Sequence, residues 1–440
     1  MTDKPSNDEQ NSPLQASRRS FLKHSILAAS GVALFGGMPL GMRSAAWAGG
    51  GDVETSKAKL GFIALTDAAP LFVAVEKGFF AKYGMTDVEV LKQTSWGTTR
   101  DNLVLGGARN GIDGAHILTP MPYQLSIGTI NNGQPVPMSI LARLNLNGQG
   151  ISLGKEYAEL NIGTDASPLK AAFAAKSKAS AAVTFPGGTH DLWMRYWLAA
   201  GGIDPNRDVA TIVVPPPQMV ANMKVGSMDA FCVGEPWNAQ LINQNIGYSA
   251  ITTGELWANH PEKSLALRSA FVDANPNATR ALLMAVMEAQ MFCEDMANKA
   301  EVAKICSSRR WINAPAKDIE ARLKGNFDYG NGNGKRVENS PHPMRFWNEH
   351  ASYPFQSHDL WFLTENKRWG YLPADLDSQA LIATVNREDI WRAAAGELNL
   401  PAELIPTSTS RGVETFFDGK VFDPENPQAY LDSLTIKAMA

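Results

Sequence analysis

Apolar and polar positions alternate in a regular way along the first half of the chain. Residues 60–65 form a short apolar run that predicts a strand, and residues 71–83 then carry apolar side chains at helical spacing. Residues 88–91 predict a second strand, residues 95–106 a second helix, and residues 112–119 a third strand. Strands that alternate with helices are typical of an open, mostly parallel α/β sheet.

The same alternation returns further along the chain. Residues 181–185 predict a strand, residues 186–189 a turn, and residues 190–200 a helix that two glycines end. Residues 210–214 predict the next strand, which three prolines end. A second α/β unit is therefore expected after the first.

Two eight-residue segments, 113–120 and 229–236, match each other in register. Each follows a helix and a glycine-bearing turn, and each places a proline seven residues after an aspartate. Two lobes with the same order of strands and helices would produce this repeat, whereas a chance match of so short a segment is the alternative. We interpret the repeat as two α/β lobes with a cleft between them.

The pattern after residue 261 is more helical. Residues 275–296 predict a long amphipathic helix that residues 300–306 continue, and another helix is predicted to start at residues 375–377. The glycines of residues 330–334 predict a flexible loop, and the tail after Pro401 is rich in loop-forming residues.

The N-terminal segment predicts export by the twin-arginine route. Arg18 and Arg19 precede a weakly hydrophobic core over residues 26–35, and residues 46–48 form an A-x-A cleavage site. The alternative is an N-terminal membrane anchor, but this glycine-broken run is too short to span a bilayer. We expect residues 1–48 to be a signal peptide and the exported protein to be periplasmic and soluble after cleavage.

Charge and cysteine content exclude several classes of protein. A formal net charge of −4 over 440 residues offers no basic surface for nucleic acid. The three cysteines fit no zinc or redox spacing, and each is expected to be a small buried residue. A bridge between Cys293 and Cys306 is an open alternative in an oxidising compartment.

Three turns between a predicted strand and a predicted helix could present backbone N–H groups to a small anion. They comprise residues 66–69, 95–99 and 187–190, and ligands of open α/β sheets bind at such positions. Four polar side chains lie in or near these turns and the predicted lobe crossovers: Trp96, Gln149, His190 and Lys263. An interface tryptophan, a solvated amide, a capping histidine and a surface lysine are the alternatives for them.

Three runs of this sequence resemble the periplasmic nitrate-binding proteins of nitrate ABC transporters. They are residues 61–71, 92–96 and 185–191, and the resemblance extends over nearly all of the chain after the signal peptide. A bicarbonate-binding homologue shares that group. The resemblance implies a type II periplasmic-binding-protein clamshell, in which each lobe is a mostly parallel sheet flanked by helices. The expected segments after the signal peptide are 56–147 for the first part of lobe 1, 148–255 for lobe 2, and 256–440 for the rest of lobe 1 with a C-terminal helical extension.

The resemblance also implies a ligand set. The nitrate ligands of the family are a tryptophan, a glutamine, a histidine and a lysine, which match Trp96, Gln149, His190 and Lys263. The predicted nitrate site further includes Gly148, Gly188 and Thr189. The implied ligand is nitrate, with nitrite as a second candidate, and the implied partners are the permease and ATPase of an ABC transporter at the inner membrane. No cofactor and no metal are expected.

The chemistry of nitrate fits these side chains better than that of its competitors. Nitrate carries no proton at biological pH, so its site is expected to need hydrogen-bond donors only. Bicarbonate carries a proton, so its site also needs an acceptor. The bicarbonate-binding homologue resembles this site with acidic or amide groups in place of the lysine and histidine, plus calcium, but this chain keeps Lys263 and His190. Bicarbonate, cyanate and sulfonate remain alternative ligands on the same fold.

An enzyme is the alternative from another functional class. His190 and Lys263 could form an acid/base or Schiff-base pair, but no activated nucleophile has a recognisable triad context. The remaining histidines show no metal-ligand spacing with carboxylates. We predict a binding protein, not an enzyme.

Overall fold

Two five-stranded sheets with the same strand order form the centre of this computed structural model. The structure describes residues 52–176, 178–330 and 335–438, so the predicted signal peptide and most of the predicted loop at 330–334 lie outside the described residues. The strands are β1 Lys57–Phe62, β2 Asp87–Lys92, β3 Gly114–Leu118, β4 Met138–Arg143, β5 Gln149–Gly154, β6 Ser180–Val183, β7 Ala210–Val213, β8 Ala230–Gly234, β9 Gly247–Thr252, β10 Lys263–Arg268, β11 Phe327–Asp328, β12 Arg336–Val337, β13 Glu414–Thr415 and β14 Val421–Phe422.

The helices flank the two sheets, and eight of those in the described residues follow β10. They are α1 Ala69–Glu76, α2 Phe79–Lys82, α3 Trp96–Leu105, α4 Met121–Ser126, α5 Leu169–Ala174, α6 Thr189–Ala200, α7 Met219–Lys224, α8 Trp237–Asn243, α9 Ser269–Ala274, α10 Pro276–Glu294, α11 Lys299–Ser307, α12 Ala316–Leu323, α13 Gln356–Arg368, α14 Ser378–Val385, α15 Glu388–Glu397 and α16 Pro427–Ser433.

Each sheet has four strands in one direction and one reversed strand. The first sheet has the order β2-β1-β3-β10-β4 and the second the order β7-β6-β8-β5-β9. The reversed strands are β10 and β5, each antiparallel to both of its neighbours. We call the first sheet with its helices lobe 1 and the second lobe 2. The predicted two-lobed α/β fold is confirmed; the segment boundaries given above stay predictions.

The reversed strands occupy equivalent places in the two lobes. Lys263, the first residue of β10, lies opposite Leu118 at the end of β3, and Gln149, the first residue of β5, lies opposite Gly234 at the end of β8. Both strands also shift register after their third residue. The fold therefore places Lys263 and Gln149 at the same position of two related sheets.

The repeat found in the sequence corresponds to a repeated contact. The Asp113 carboxylate accepts a hydrogen bond from the backbone N–H of Lys59 at 2.9 Å, before β3 of lobe 1. The Asp229 carboxylate accepts one from Ser180 N–H at 2.7 Å, before β8 of lobe 2. Each aspartate thus ties the start of the third parallel strand of its sheet to the first parallel strand.

Two crossover segments connect the lobes and run side by side. Leu146 and Pro261 form an antiparallel bridge, and Asn147 N–H donates to the His260 carbonyl at 2.9 Å. The lobes also touch directly, because Thr66 N–H in lobe 1 donates to the Glu235 carbonyl in lobe 2 at 2.8 Å. We call residues 144–148 and 253–262 the hinge.

The C-terminal helices pack on both lobes. Helix α10 lies against α1 of lobe 1, and α13 lies against α6 of lobe 2. Trp361 of α13 stacks on Trp193 of α6 with 4.9 Å between ring centroids. The apolar face of the C-terminal region is therefore buried against the cleft-forming helices of both halves.

Two predicted helices are interrupted. The stretch 71–83 splits at Gly78, which has a left-handed conformation with φ of 72°. The continuous helix predicted over 275–306 is also wrong, because α10 ends at Glu294 and Asp295 caps a separate short turn by accepting from Ala297 N–H. Both breaks come from residues whose local conformations compete with the helix.

The described residues contain no disulfide between the cysteines. Cys232, Cys293 and Cys306 are free and buried, so the open alternative of a bridge between the last two is wrong here. No helix within the described ranges is long and apolar enough to cross a membrane.

Candidate functional site

Four side chains from the two lobes meet in the cleft. Gln149 and Lys263 begin the two reversed strands, Asp67 lies in the short turn Thr66–Ala68 before α1, and His190 is the second residue of α6. All four are fully buried or nearly so. The strand starts and the helix starts therefore converge at the point where ligands of α/β sheets bind.

Asp67 links the two lobes. Its Oδ2 lies 3.0 Å from Gln149 Nε2 and 2.9 Å from Lys263 Nζ, and its Oδ1 lies 2.6 Å from His116 Nε2. Burial alone would raise the pKa of Asp67, but the Lys263 ammonium and His116 outweigh it and hold the pKa well below its usual range. Asp67 is therefore an ionised acceptor at neutral pH.

The hydrogen bonds assign the tautomer of His190. Gln149 Nε2 must donate to the Asp67 carboxylate, so Gln149 Oε1 faces His190 Nε2 at 2.6 Å and accepts from it. His190 Nδ1 then accepts from the Thr184 hydroxyl at 2.5 Å. Burial, with the nearby Lys263 ammonium, holds the pKa of His190 well below its usual value. His190 is a neutral imidazole that donates through Nε2.

Glu262 lies beside Lys263 and connects the hinge to α6. Its Oε1 lies 2.9 Å from Lys263 Nζ and accepts from the Thr189 hydroxyl, and its Oε2 accepts from Trp193 Nε1 at 2.7 Å. Burial raises the pKa of Glu262, although Lys263 and the other donors oppose that shift. For Lys263, burial favours the neutral amine, but Asp67 and Glu262 outweigh it and raise the pKa, so the ammonium stays charged.

Trp96 reaches this network through His116. The two rings lie 5.4 Å apart between centroids, and His116 Nε2 is the group that binds Asp67. Among the described residues, nothing pairs with the buried Trp96 Nε1 or with the buried Thr66 Oγ1 next to Asp67. Buried polar groups are rarely left without partners, so the Trp96 indole N–H and the Thr66 hydroxyl are each able to donate to an acceptor oxygen.

The predicted glycines allow close approach of neighbouring segments. Gly148 has φ of 91°, and a Cβ there would lie 2.4 Å from the Met344 side chain. A Cβ on Gly188, which precedes α6, would lie 2.6 Å from the Leu118 side chain in the other lobe. Larger residues at either position would force the hinge or the lobes apart.

The structure brings most of the sequence-predicted residues together. Gln149 and Lys263 each contact Asp67, and His190 contacts Gln149 and lies 3.4 Å from Lys263 Nζ. Thr189 joins the network through Glu262, whereas Trp96 lies one side chain further out and Gly148 and Gly188 contribute spacing.

Three buried residues of the network did not appear in the sequence-based site: Asp67, His116 and Glu262. The expectation of a site made of donors only is wrong for this network, because Asp67 and Glu262 both contact Lys263. One signal could have revealed them: a lysine predicted to be buried needs carboxylate partners, and Glu262 directly precedes it in the sequence. In the described part of the chain, no group of three His, Cys, Asp or Glu side chains could hold a metal ion.

Comparisons with known proteins identify the family to which this chain belongs. Residues 51–307 match the NMT1-like family. The nitrate/nitrite binding protein NrtA of Synechocystis sp. is 62% identical over 386 residues, which cover 88% of this chain and 86% of that protein. The crystal structure of the periplasmic nitrate-binding protein NrtA from Synechocystis PCC 6803 has a TM-score of 0.87 and covers 88% of this chain and 100% of that chain.

Two further relatives are more distant. The bicarbonate-binding protein CmpA of Synechococcus elongatus is 45% identical over 402 residues, which cover 89% of each protein. The nitrate import ATP-binding protein NrtC of Synechocystis sp. is 34% identical over 389 residues, 88% of this chain but 56% of that protein. The chain therefore belongs to the NMT1-like family and to the group that the nitrate-binding and bicarbonate-binding proteins form.

Proposed function

We propose that this chain is an extracytoplasmic solute-binding protein that captures nitrate between its lobes and delivers it to an ABC transporter. The observation that carries the proposal is the buried Trp96 indole N–H, which has no partner among the described residues and adjoins a network around the Lys263 ammonium. The identity of 62% with a nitrate/nitrite binding protein, against 45% with a bicarbonate-binding protein, supports nitrate as the ligand.

The donors at hand match the oxygens of nitrate. Lys263 has three N–H groups, of which Asp67 and Glu262 take two and leave one for a ligand. Trp96 adds the unpartnered indole N–H, and His190 adds its Nε2–H once the anion replaces Gln149 Oε1 as the acceptor of that hydrogen bond. Micromolar affinity needs about 8 kcal/mol, and charge-assisted hydrogen bonds contribute about 1.5–3 kcal/mol each. Four such donors with nearby backbone amides are therefore sufficient, and nitrite, which also only accepts, is the second candidate ligand.

The proposed site keeps all seven residues predicted from the sequence. Trp96, Gln149, His190 and Lys263 act as donors, and Gln149 has a second N–H besides the one that Asp67 accepts. Thr189 acts by holding Glu262 against Lys263, and Gly148 and Gly188 let the hinge and lobes close. Binding without catalysis is proposed, since the groups left free around Lys263 are N–H donors and none of them is an activated nucleophile.

Other features of the chain support the proposed export and delivery. The paired arginines at Arg18 and Arg19 support export to the periplasm by the twin-arginine route. A relative named as the ATP-binding protein of nitrate import contains a region similar to this chain, which supports a permease and ATPase complex as the partner. Capture between two lobes that then dock on a permease is the mode of action we propose.

Isothermal titration of the purified exported protein tests the ligand assignment. Nitrate, nitrite, bicarbonate with calcium, cyanate and taurine are titrated in turn, and nitrate should bind with the highest affinity. Trp96→Phe should raise the nitrate Kd by at least about tenfold, because it removes one donor worth about 1.5–3 kcal/mol.

The matched control for that variant is Trp197→Phe. Trp197 is also fully buried, but its Nε1 donates to the Gly163 carbonyl at 3.1 Å, outside the network. Its loss should leave the nitrate Kd within about twofold. Higher affinity for taurine or bicarbonate than for nitrate would refute the ligand, and an unchanged Kd in Trp96→Phe would remove Trp96 from the site.

A further inference from the structure

The charges around Lys263 do not balance. Its Nζ lies 2.9 Å from Asp67 Oδ2 and 2.9 Å from Glu262 Oε1, and all three side chains are fully buried. The imidazoles nearest to them are those of His116, His190 and His260. Burial lowers the pKa of each of these imidazoles, so they are neutral. With both carboxylates ionised, the network carries one net negative charge.

A bound nitrate would add a second negative charge to the same buried volume. One ammonium would then face three anionic groups within a few ångströms, and buried like charges disfavour each other strongly. A site that admits nitrate must therefore lose one negative charge as the anion enters. Protonation of a carboxylate does this, since it removes charge without moving a side chain.

Asp67 is not suited to take that proton. Its oxygens accept from His116, Gln149 and Lys263, and none of these three donors can accept a proton from a carboxylic acid in the arrangement described above. A protonated Asp67 would point its hydrogen at another donor.

Glu262 can take a proton without such a conflict. Its Oε1 faces the Thr189 hydroxyl, which can rotate from donor to acceptor. The other contact groups are the Trp193 indole on Oε2, the His190 Nε2 at 3.8 Å and the His260 Nδ1 at 3.7 Å. The buried Cys232 thiol of β8 also faces it, and burial holds the pKa of that thiol well above its usual value. Lys263 is thus the cation that stabilises the ionised form of Glu262.

We propose that Glu262 is a specificity-determining residue that takes up one proton from solvent each time nitrate binds. The inference rests on the proposed function. Glu262 Oε1 gains the hydrogen and donates it to Thr189 Oγ1, and the contact between Lys263 Nζ and Oε1 weakens. Lys263 then turns the released N–H toward the anion. Nitrate enters together with a proton, and the net charge of the network is the same before and after binding.

Proton uptake from solvent should distinguish nitrate from bicarbonate, an anion that already carries a proton. Bicarbonate carries the same charge as nitrate, but its own O–H can donate to ionised Glu262, and this charge-assisted hydrogen bond offsets the repulsion without a proton from solvent. Nitrate affinity should therefore fall about tenfold for each pH unit above the range where free Glu262 titrates, while bicarbonate affinity should not. Because nitrate cannot donate a hydrogen bond, Glu262 would favour nitrate binding at low pH and oppose it at high pH.

The number of protons taken up is measured by titrating nitrate at neutral pH in buffers of different ionisation enthalpy. The slope of the observed heat against that enthalpy should correspond to about one proton for the unmodified protein. Glu262→Gln imitates the protonated acid, so its slope should be near zero while nitrate still binds. Glu388→Gln is the matched control, because Glu388 is a buried glutamate that binds Tyr353 and Arg392 away from the cleft. Its slope should stay near one.

The possible outcomes separate this inference from the proposed function. Absence of nitrate binding would remove the proposed function, whereas nitrate binding without proton uptake would overturn the role of Glu262 alone. Proton uptake that persists in Glu262→Gln would also overturn it. Should that variant fail to fold, infrared difference spectra of the unmodified protein decide: a protonated carboxyl band that appears with nitrate supports the proposal, and its absence refutes it.

Discussion

The two lobes place equivalent backbone positions around the cleft but fill them with different chemistry. The reversed strands begin with Lys263 in lobe 1 and with Gln149 in lobe 2, at matching points of the two sheets. The segment after the first parallel strand of each lobe contributes Asp67, in the turn before α1 of lobe 1, and His190, at the start of α6 of lobe 2. Lobe 1 thus supplies an ion pair, and lobe 2 supplies a neutral amide and a neutral imidazole.

This difference shows how a repeated fold can divide the recognition of one ligand. Charged groups interact strongly with an anion but with little directional preference, whereas the amide and imidazole N–H groups are directional. Lobe 1 is then suited to recognise the charge of the ligand and lobe 2 its shape. Asp67 and Glu262 join the two sets, because each contacts at least one side chain from each lobe.

The largest effect is expected when the charged lysine of lobe 1 is replaced by a neutral amide like that of lobe 2. Lys263→Gln removes the ammonium and leaves Asp67 and Glu262 without their shared cation. We expect the nitrate Kd to rise by at least about 100-fold and the free energy of unfolding to fall by about 3–5 kcal/mol, as for other broken buried ion pairs. Isothermal titration and urea denaturation measure the two effects.

A double variant separates charge recognition from stability. In Asp67→Asn/Lys263→Gln both residues are neutral and Glu262 alone keeps its carboxylate, so part of the lost unfolding free energy should return. Nitrate affinity should stay low, because the positive charge is still missing. Nitrate binding by Lys263→Gln at the original Kd would contradict the assignment of charge recognition to lobe 1.

The hinge provides a second test, through pH. Burial lowers the pKa of His260 to about 3, against about 6.5 in an unfolded chain. The folded state therefore binds fewer protons, so the contribution of His260 is complete above pH 6.5 and is lost as the pH falls toward 3. At about pH 4.5 the loss from this group alone should be roughly 3 kcal/mol.

Urea denaturation across this pH range measures that loss. His260→Gln should lower the pH dependence by about one proton, because the other buried histidines, His116, His190 and His358, keep their own contributions. A variant with the same pH dependence as the unmodified protein would show that the hinge does not share in the acid sensitivity.

Much of the fold could be predicted because its evidence is local. Short apolar runs, helical stripes and the match between 113–120 and 229–236 are all visible in the sequence, and the structure has strands and helices there. The position of β10 in lobe 1, between β3 and β4, could not be predicted in this way. A reversed strand is defined by its long-range neighbours, which local periodicity does not report.

The residues of the candidate site show the same difference between local and long-range evidence. Gln149, His190 and Lys263 were found from residue type and resemblance, and they lie within one hydrogen-bonded network. Asp67 and Glu262 were missed because carboxylates are usually solvated, and only the fold shows that both are buried against one ammonium. The expectation of a donor-only site failed for that reason: it considered the ligand but not the charge of the lysine.

The smallest effect concerns the repeated aspartates at the opposite end of the strands from the cleft. Asp113 accepts from Lys59 N–H, whereas Asp229 accepts from Ser180 N–H and also binds the Tyr157 hydroxyl at 2.6 Å and Lys176. Asp113→Asn should lower the free energy of unfolding by about 1 kcal/mol and Asp229→Asn by about 2 kcal/mol, since more hydrogen bonds to a charged acceptor are weakened.

Urea denaturation of both variants and of the double variant measures these losses. They should add within about 0.5 kcal/mol, because the two carboxylates lie in different lobes and share no partner. Nitrate affinity should not change in either variant, which makes them controls for the cleft variants as well. A larger loss for Asp113→Asn than for Asp229→Asn would contradict this prediction. It would show that the loss of unfolding free energy does not rise with the number of hydrogen bonds that each carboxylate accepts.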